Sequence, residues 1–271
     1  MVCKRPCLGY ILLGNDPSSQ IYVRNKIKQC NEVGFDHIGI SLPNNVSEVD
    51  LLRRIRELNE DEHISGILVQ LPLPRYISMQ RVFEEIDPLK DVDGVHPNNL
   101  VNLIIKEKEP LYVPSTAKGC LYIIQKYCPS VIGKRVVVVG QSMIVGSPIA
   151  YMLQNLDATV TSCNIMTRNI SSITREADIL VISIGNPMYI KGDWIKPGAL
   201  VIDVGTSVIP DKTSKTGKRL VGDVNFQEAV KVAGHITPVP GGVGPMTIAM
   251  LLQNVFTAWK RINFPTQIPY I

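Results

Sequence analysis

The sequence predicts an α/β chain of two domains built on parallel sheets, and three observations carry that prediction. Short apolar runs alternate with longer amphipathic segments, the alternation that lays helices over a parallel sheet. The alternation stops at residues 129–133 and then restarts, which implies two cores. A length of 271 residues is enough for two modest cores.

In the first half, residues 8–13, 37–40 and 64–69 read as buried strands. Residues 19–33 and 47–59 between them read as helices, with Ser47 as an N-cap and Gly34 as a C-terminal stop. A further helix is expected over 116–127. After the restart, 135–139 is a β-branched strand, followed by a Gly/Ser turn and a helix over 148–155. Three more apolar runs follow at 158–162, 178–184 and 199–204. That succession is the one expected of a dinucleotide-binding domain. Residues 212–218 read as a polar turn or hairpin tip. The expected division is therefore 1–128 and 129–245, with the helix over 246–271 returning to the first domain.

Composition excludes several classes. Hydrophobic residues make up 45% of the chain and charged residues 19%, a globular balance. The net charge is only +4 and the basic residues are scattered, so nucleic acid is not an expected partner. No apolar run is long enough to span a bilayer, and the N-terminus lacks the apolar core of a secretory signal. The six cysteines are mostly far apart and form no C-x-x-C, which points to reduced thiols and an intracellular setting, cytosol or organelle matrix, with the cytoplasm taken as the expectation. The four histidines show no ligand spacing, and no metal site is expected.

The most informative stretch is Ile236-Thr237-Pro238-Val239-Pro240-Gly241-Gly242-Val243-Gly244-Pro245-Met246-Thr247. Prolines fix φ while glycines bare the backbone between them. A helix follows, with Pro245 suited to its first position and Ile248, Leu251, Leu252, Val255 and Trp259 on one face. A stiff loop with free N–H groups at a helix start favours an anionic or oxygen-rich ligand. Within the helix over 19–33, Val23, Ile27 and Cys30 form the core stripe. Lys26 lies at its edge, with Tyr22 one turn earlier on the same side. A partly desolvated lysine beside a tyrosine is a candidate catalytic amine, although on position alone the commoner case is a lysine that snorkels from a helix boundary. Gln70 follows directly on a strand, where ligands of parallel sheets sit, and can either hold Lys26 or bond its own loop. Asp91-Val92-Asp93-Gly94 is an acidic turn by composition. Gly140-Gln141-Ser142-Met143-Ile144-Val145-Gly146 follows a strand without being G-x-G-x-x-G, so on pattern alone a dinucleotide loop and an ordinary turn both remain open.

These segments together resemble the methylenetetrahydrofolate dehydrogenase/methenyltetrahydrofolate cyclohydrolase family. PGGVGPMT matches its C-terminal signature, and YVRNK at 22–26, VQLPLP at 69–74, DVDG at 91–94 and KGDWIKPG at 191–198 match in the family's order. The resemblance runs from about residue 8 to 254. It implies a folate-binding catalytic domain, a Rossmann-type NAD(P) domain and a cleft between them. It further implies oxidation of 5,10-methylenetetrahydrofolate, hydrolysis of the methenyl product to 10-formyltetrahydrofolate, and a homodimer in one-carbon metabolism. Tyr22, Lys26 and Gln70 take the catalytic positions. Tyr22, Asp93, Pro240, Gly241, Gly242 and Val243 take substrate positions, with Asp93 on the pterin. The family's G-x-S-x-x-V-G-x-P is present through Pro148, which places Gly140, Gln141, Ser142, Gly146, Ile165 and Thr206 at the cofactor.

Four departures stand out. Many members have Arg where this chain has Gln141, and a Ser or basic residue where it has Asn164-Ile165-Met166. Both usual anchors of a ribose 2′-phosphate are then missing, with Arg168 a nearby substitute and no acid at the strand end to grip a free ribose. Pro114-Ser115-Thr116-Ala117 stands where the family reads P-C-T-P. Only residues 1–7 precede the first strand, where members generally carry a helical segment; a shortened chain and a domain without that cover both fit. Two other readings are a Rossmann dehydrogenase of the shikimate or amino-acid kind and a non-catalytic folate-binding relative.

Overall fold

The computed structural model describes residues 5–214 and 217–264. The chain divides into two compact units. The first comprises the residues up to Asn102, Glu107–Ser115 and the chain from Ile248 onward; the second comprises Leu103–Lys106 and Thr116–Thr247.

In the first unit, β1 (Cys7–Leu13) is followed by α1 (Pro17–Glu32), β2 (Asp36–Leu42), α2 (Glu48–Glu60) and β3 (Gly66–Val69), then by α3 (Met79–Glu85) and α4 (Pro97–Ile104). The three strands form a parallel sheet in the order β2-β1-β3. Asp16 caps α1 by accepting the Ser19 N–H at 2.8 Å, and Gly34, at φ +75°, follows its end. Ser47 caps α2 as expected. β1 and β3 are buried, but β2 is not the buried strand the sequence implied. It is the uncovered edge of the sheet, with Ile38 41% exposed, whereas the other edge, β3, is buried. The short apolar run of β2 looks like a core strand because edge and centre share β-branched composition.

The second unit starts with α5 (Ser115–Tyr127) and then runs through β4 (Arg135–Val139), α6 (Gly146–Asn155), β5 (Thr159–Cys163), α7 (Ile170–Thr174), β6 (Ile179–Ile182) and β7 (Leu200–Asp203). A hairpin of β8 (Ser207–Pro210) and β9 (Lys218–Val221) follows, then α8 (Phe226–Ala229) and β10 (His235–Ile236). The five parallel strands take the order β10-β7-β6-β4-β5. The chain thus leaves β4 toward β5 on one side and returns to β6 on the other, a topological switch point between β4 and β6. β4, β6 and β7 pack as a β-branched core, whereas β5 is a largely exposed edge. The expected polar tip over 212–218 lies in the β8–β9 turn, of which 215 and 216 fall outside the described residues. α5 groups by packing with this unit, so the two compact units part at Ser115/Thr116.

The last helix, α9 (Val243–Asn263), begins two residues before the expected Pro245 start. Leu251, Leu252, Val255 and Ala258 pack with Leu8, Leu68 and Tyr112 in the core of the first unit. The buried Asn254 donates from Nδ2 to the carbonyls of Val92 (2.8 Å) and Val113 (3.0 Å), tying α9 to the segments around Asp93 and Ser115.

Candidate active site

In the first unit, the edge of α1 and the end of β3 meet at a hydrogen bond. Lys26 Nζ donates to Gln70 Oε1 at 2.9 Å. Gln70 Nε2 donates to the Leu71 carbonyl at 2.8 Å, which fixes the amide so that its oxygen faces the lysine. The peptide bond from Leu71 to Pro72 is cis. Val23 and Cys30 are buried beneath α1, as the core stripe required, and Lys26 is half-buried beside them. Desolvation lowers the pKa of its amine, and the Asp93 carboxylate opposes that shift. Three sequence-predicted residues, Lys26, Gln70 and Asp93, are therefore gathered within electrostatic reach. Tyr22 lies one turn before Lys26 on α1 and is half-buried.

Asp93 owes its position to a neighbour that sequence reasoning passed over. Asp91 is fully buried and accepts from the N–H groups of Val95 (3.2 Å) and His96 (2.8 Å) and from Asn99 Nδ2 (2.7 Å). Burial pushes its carboxyl up to about 7 against the pull of those donors. Gly94 turns at φ +71°, and a Cβ there would come within 2.6 Å of the Pro114 nitrogen, so only glycine fits. Asp93 is thus the half-buried member of a turn whose other acid is used up internally. The signal was present in the spacing D-x-D-G, but one acid of such a turn cannot be told from the other without the fold.

In the second unit, Gly140, Gln141, Ser142 and Gly146 share the turn between β4 and α6. Gly140 sits at φ +129°, with a Cβ barred by the Ser183 backbone, and a Cβ at Gly146 would fall on the Gly140 carbonyl. This bare, tight strand-to-helix turn at the switch point fits the pyrophosphate of a dinucleotide. Ser142 Oγ accepts from the N–H groups of Val145 (3.2 Å) and Gly146 (3.4 Å), so it also closes the turn from within. Asn164 Nδ2 donates to Gln141 Oε1 at 2.9 Å, which couples the turn to the loop after β5. Ile165 and Met166 of that loop are exposed, at 56% and 82%. Thr206 follows β7 and is exposed. Pro240, Gly241, Gly242 and Val243 lie between β10 and the first turn of α9, after a cis bond from Val239 to Pro240.

Of the cysteines, Cys7, Cys30, Cys120 and Cys163 are buried free thiols and Cys128 is half-buried; Cys3 lies outside the described residues. No group of three or more potential metal ligands occurs among the described residues, and no helix there is long and apolar enough to cross a membrane.

A desolvated lysine on the helix after β1 of one sheet, and a glycine-lined strand-to-helix turn at the switch point of the other, fit a two-domain nucleotide-dependent α/β enzyme. Comparison with known proteins gives the particular family. Residues 2–93 match the catalytic domain of tetrahydrofolate dehydrogenase/cyclohydrolase, and residues 114–263 match its NAD(P)-binding domain. The chain belongs to the tetrahydrofolate dehydrogenase/cyclohydrolase family. It is 50% identical over 259 residues to bifunctional protein FolD 2 of Arabidopsis thaliana, covering 96% of this chain and 87% of the relative. The crystal structure of Trypanosoma brucei methylenetetrahydrofolate dehydrogenase-cyclohydrolase, complexed with NADP cofactor and an inhibitor, superposes with a TM-score of 0.92 at 45% identity. It covers 95% of this chain and 88% of that one. A shikimate dehydrogenase of Aquifex aeolicus, at 16% identity and a TM-score of 0.56, shares the fold alone. The chain is thus a bifunctional, NAD(P)-dependent enzyme of this family and not one of the shikimate type.

Proposed function

We propose that this chain oxidises 5,10-methylenetetrahydrofolate and hydrolyses the methenyl product to 10-formyltetrahydrofolate, with Lys26 managing protons in the second reaction. The hydrogen bond from a desolvated Lys26 to an oriented Gln70 is the observation that carries this reading. Hydride loss from the bridging methylene leaves a cation shared by two nitrogens, and no proton has to leave with it. That step needs positioning more than an acid–base pair. A nicotinamide dinucleotide, when bound, supplies the hydride acceptor, and Gly140, Gln141, Ser142, Gly146, Ile165 and Thr206 would hold it.

Hydrolysis does require proton transfers. Water adds to the methenyl carbon and gives up a proton. The carbon–N5 bond then breaks, N5 gains a proton, and one proton is released overall. An amine whose pKa is lowered by desolvation can take the proton from water and return it to N5. Gln70 keeps that amine in place, and Tyr22 flanks it on α1. Asp93, as an acceptor-only carboxylate, suits the adjacent amino and ring N–H donors of a pterin. Pro240, Gly241, Gly242 and Val243 are assigned to the substrate on their shared motif.

We assign the folate domain to 1–128, joined by α9, and the nucleotide domain to 129–245; α5 lies before that division in sequence although it packs with the second unit. We place the enzyme in a reducing intracellular compartment on its thiol pattern, taking the cytoplasm as the default, and as a homodimer on its resemblance. The test is a two-stage assay with methylenetetrahydrofolate. Dinucleotide reduction followed by loss of the methenyl product is expected; reduction only with shikimate or an amino acid would overturn the reading.

A further inference from the structure

The ends of β6 and β7 are joined by two interlocked acid–glycine pairs. Asp203, at the end of β7, is 3% exposed. Its Oδ1 accepts from the N–H groups of Gly205 (3.0 Å) and Asp223 (2.9 Å), and its Oδ2 from Val224 N–H (2.9 Å). Asp223, fully buried, reaches the other way. Its Oδ2 accepts from the N–H groups of Ile184 (2.7 Å) and Gly185 (3.0 Å), in the loop after β6. Each carboxylate lies over the glycine beside its partner. A Cβ at Gly205 would fall on the Asp223 carboxyl carbon, and one at Gly222 on Asp203 Oδ2. The segments Asp203-Val204-Gly205 and Gly222-Asp223-Val224 therefore clasp each other through positions where only glycine fits.

The clasp ends beside the nucleotide turn. Ser183, which precedes the two residues held by Asp223, bars a Cβ at Gly140 with its carbonyl and hydroxyl oxygens. The loop from Ser183 to Gly185 thus forms the β6 wall of the switch point, opposite the Gly140–Gly146 turn of β4, where open parallel sheets bind their ligands. Thr206, on the β7 side, directly follows Gly205, whose N–H Asp203 holds. Among the described residues, two buried side-chain oxygens lack a well-formed hydrogen bond, Ser183 Oγ and Asp223 Oδ1, although the Asn186 N–H also faces the Asp223 carboxylate; both atoms belong to this loop and its clasp. Stability alone would favour satisfying them.

We propose that Asp223, braced by Asp203, is a positioning residue that sets the β6 and β7 loops for dinucleotide binding without touching the dinucleotide. The proposal rests on the reading of the second unit as the dinucleotide site. One oxygen of Asp223 accepts from both Ile184 and Gly185 N–H, so an amide can reproduce that part of the clasp with its own oxygen. Asp223→Asn should therefore retain it, and Asp223→Ala should lose it. Gly185→Ala perturbs the same loop from its far side. Gly185 sits at φ +65° with nothing within 4 Å of a Cβ, so alanine strains the backbone without crowding the core.

Calorimetric titration with NADP and with NAD tests this, with steady-state KM values for dinucleotide and for methylenetetrahydrofolate measured alongside. Asp223→Ala should weaken dinucleotide binding at least tenfold, and raise the dinucleotide KM alike, while the folate KM moves less than twofold. Asp223→Asn should bind within threefold of wild type, and Gly185→Ala several-fold more weakly than wild type. Should Asp223→Ala fail to fold, the Gly185→Ala and Asp223→Asn results decide. The proposal is overturned if Asp223→Ala binds dinucleotide like wild type or loses both KM values in parallel. It is equally overturned if Asp223→Asn is as weak as Ala, or if Gly185→Ala binds like wild type. A wild-type chain that binds neither dinucleotide would instead remove the reading on which the proposal rests.

Discussion

At the scale of single residues, charge and burial decide which polar side chains are available for chemistry. Asp91 and Asp93 lie two positions apart, yet one is consumed by three internal donors and the other is not. Asp93→Ala should therefore weaken folate binding by roughly 1.5–3 kcal/mol, the worth of hydrogen bonds to a charged group. A folate titration in which the alanine variant matches wild type would remove Asp93 from the substrate site. The pairing of Lys26 with Gln70 was legible from sequence, because helix periodicity places Lys26 at the edge of the core face and Gln70 follows a strand directly. The roles of Asp203 and Asp223 were not. An acid next to a glycine beyond a strand reads as a turn, and only the fold shows the two segments crossing.

At the scale of elements, the strands of the nucleotide domain were readable because β-branched runs such as Val136–Val139 have few alternatives to a buried parallel strand. The exposure of β2 was not readable, because burial depends on neighbours that a local window does not contain. The short helices α3, α4, α7 and α8 gave too few turns for periodicity to register. The loop after β5 carries a prediction of its own. A ribose 2′-phosphate set against neutral side chains is costly, and arginine is its usual partner. Here Gln141 and Asn164 bond each other, and Ile165 and Met166 offer no charge. Use of NAD should be relaxed or favoured relative to family members that keep both anchors, with no carboxylate to exclude NADP outright. A preference for NADP of a hundredfold or more in kcat/KM would contradict this, and Arg168→Ala abolishing it would identify the missing anchor.

At the scale of the whole molecule, each unit contains a buried carboxyl raised to about 7, Asp91 in the first and Asp203 in the second. For an acid whose folded pKa lies above its unfolded value, the folded chain keeps a proton that the unfolded chain releases. The stabilisation is complete below the ordinary 3.8 and is lost as pH rises toward about 7. Denaturation of wild type and Asp91→Asn between about pH 4 and 7 should show a flatter pH dependence in the variant, alongside a constant loss from the mismatched amide. Equal slopes would mean that Asp91 does not titrate in that window.

The central claim is that one lysine serves hydrolysis and not hydride transfer, and separating the two rates in a single variant tests it most directly. Lys26→Met keeps the stem and removes the amine that donates to Gln70. Methenyl hydrolysis should fall by roughly 10²–10⁴-fold, the scale of general acid–base catalysis, while dinucleotide reduction with methylenetetrahydrofolate falls much less. Hydrolysis at the wild-type rate, or a larger loss of the reductive step than of hydrolysis, would contradict the account.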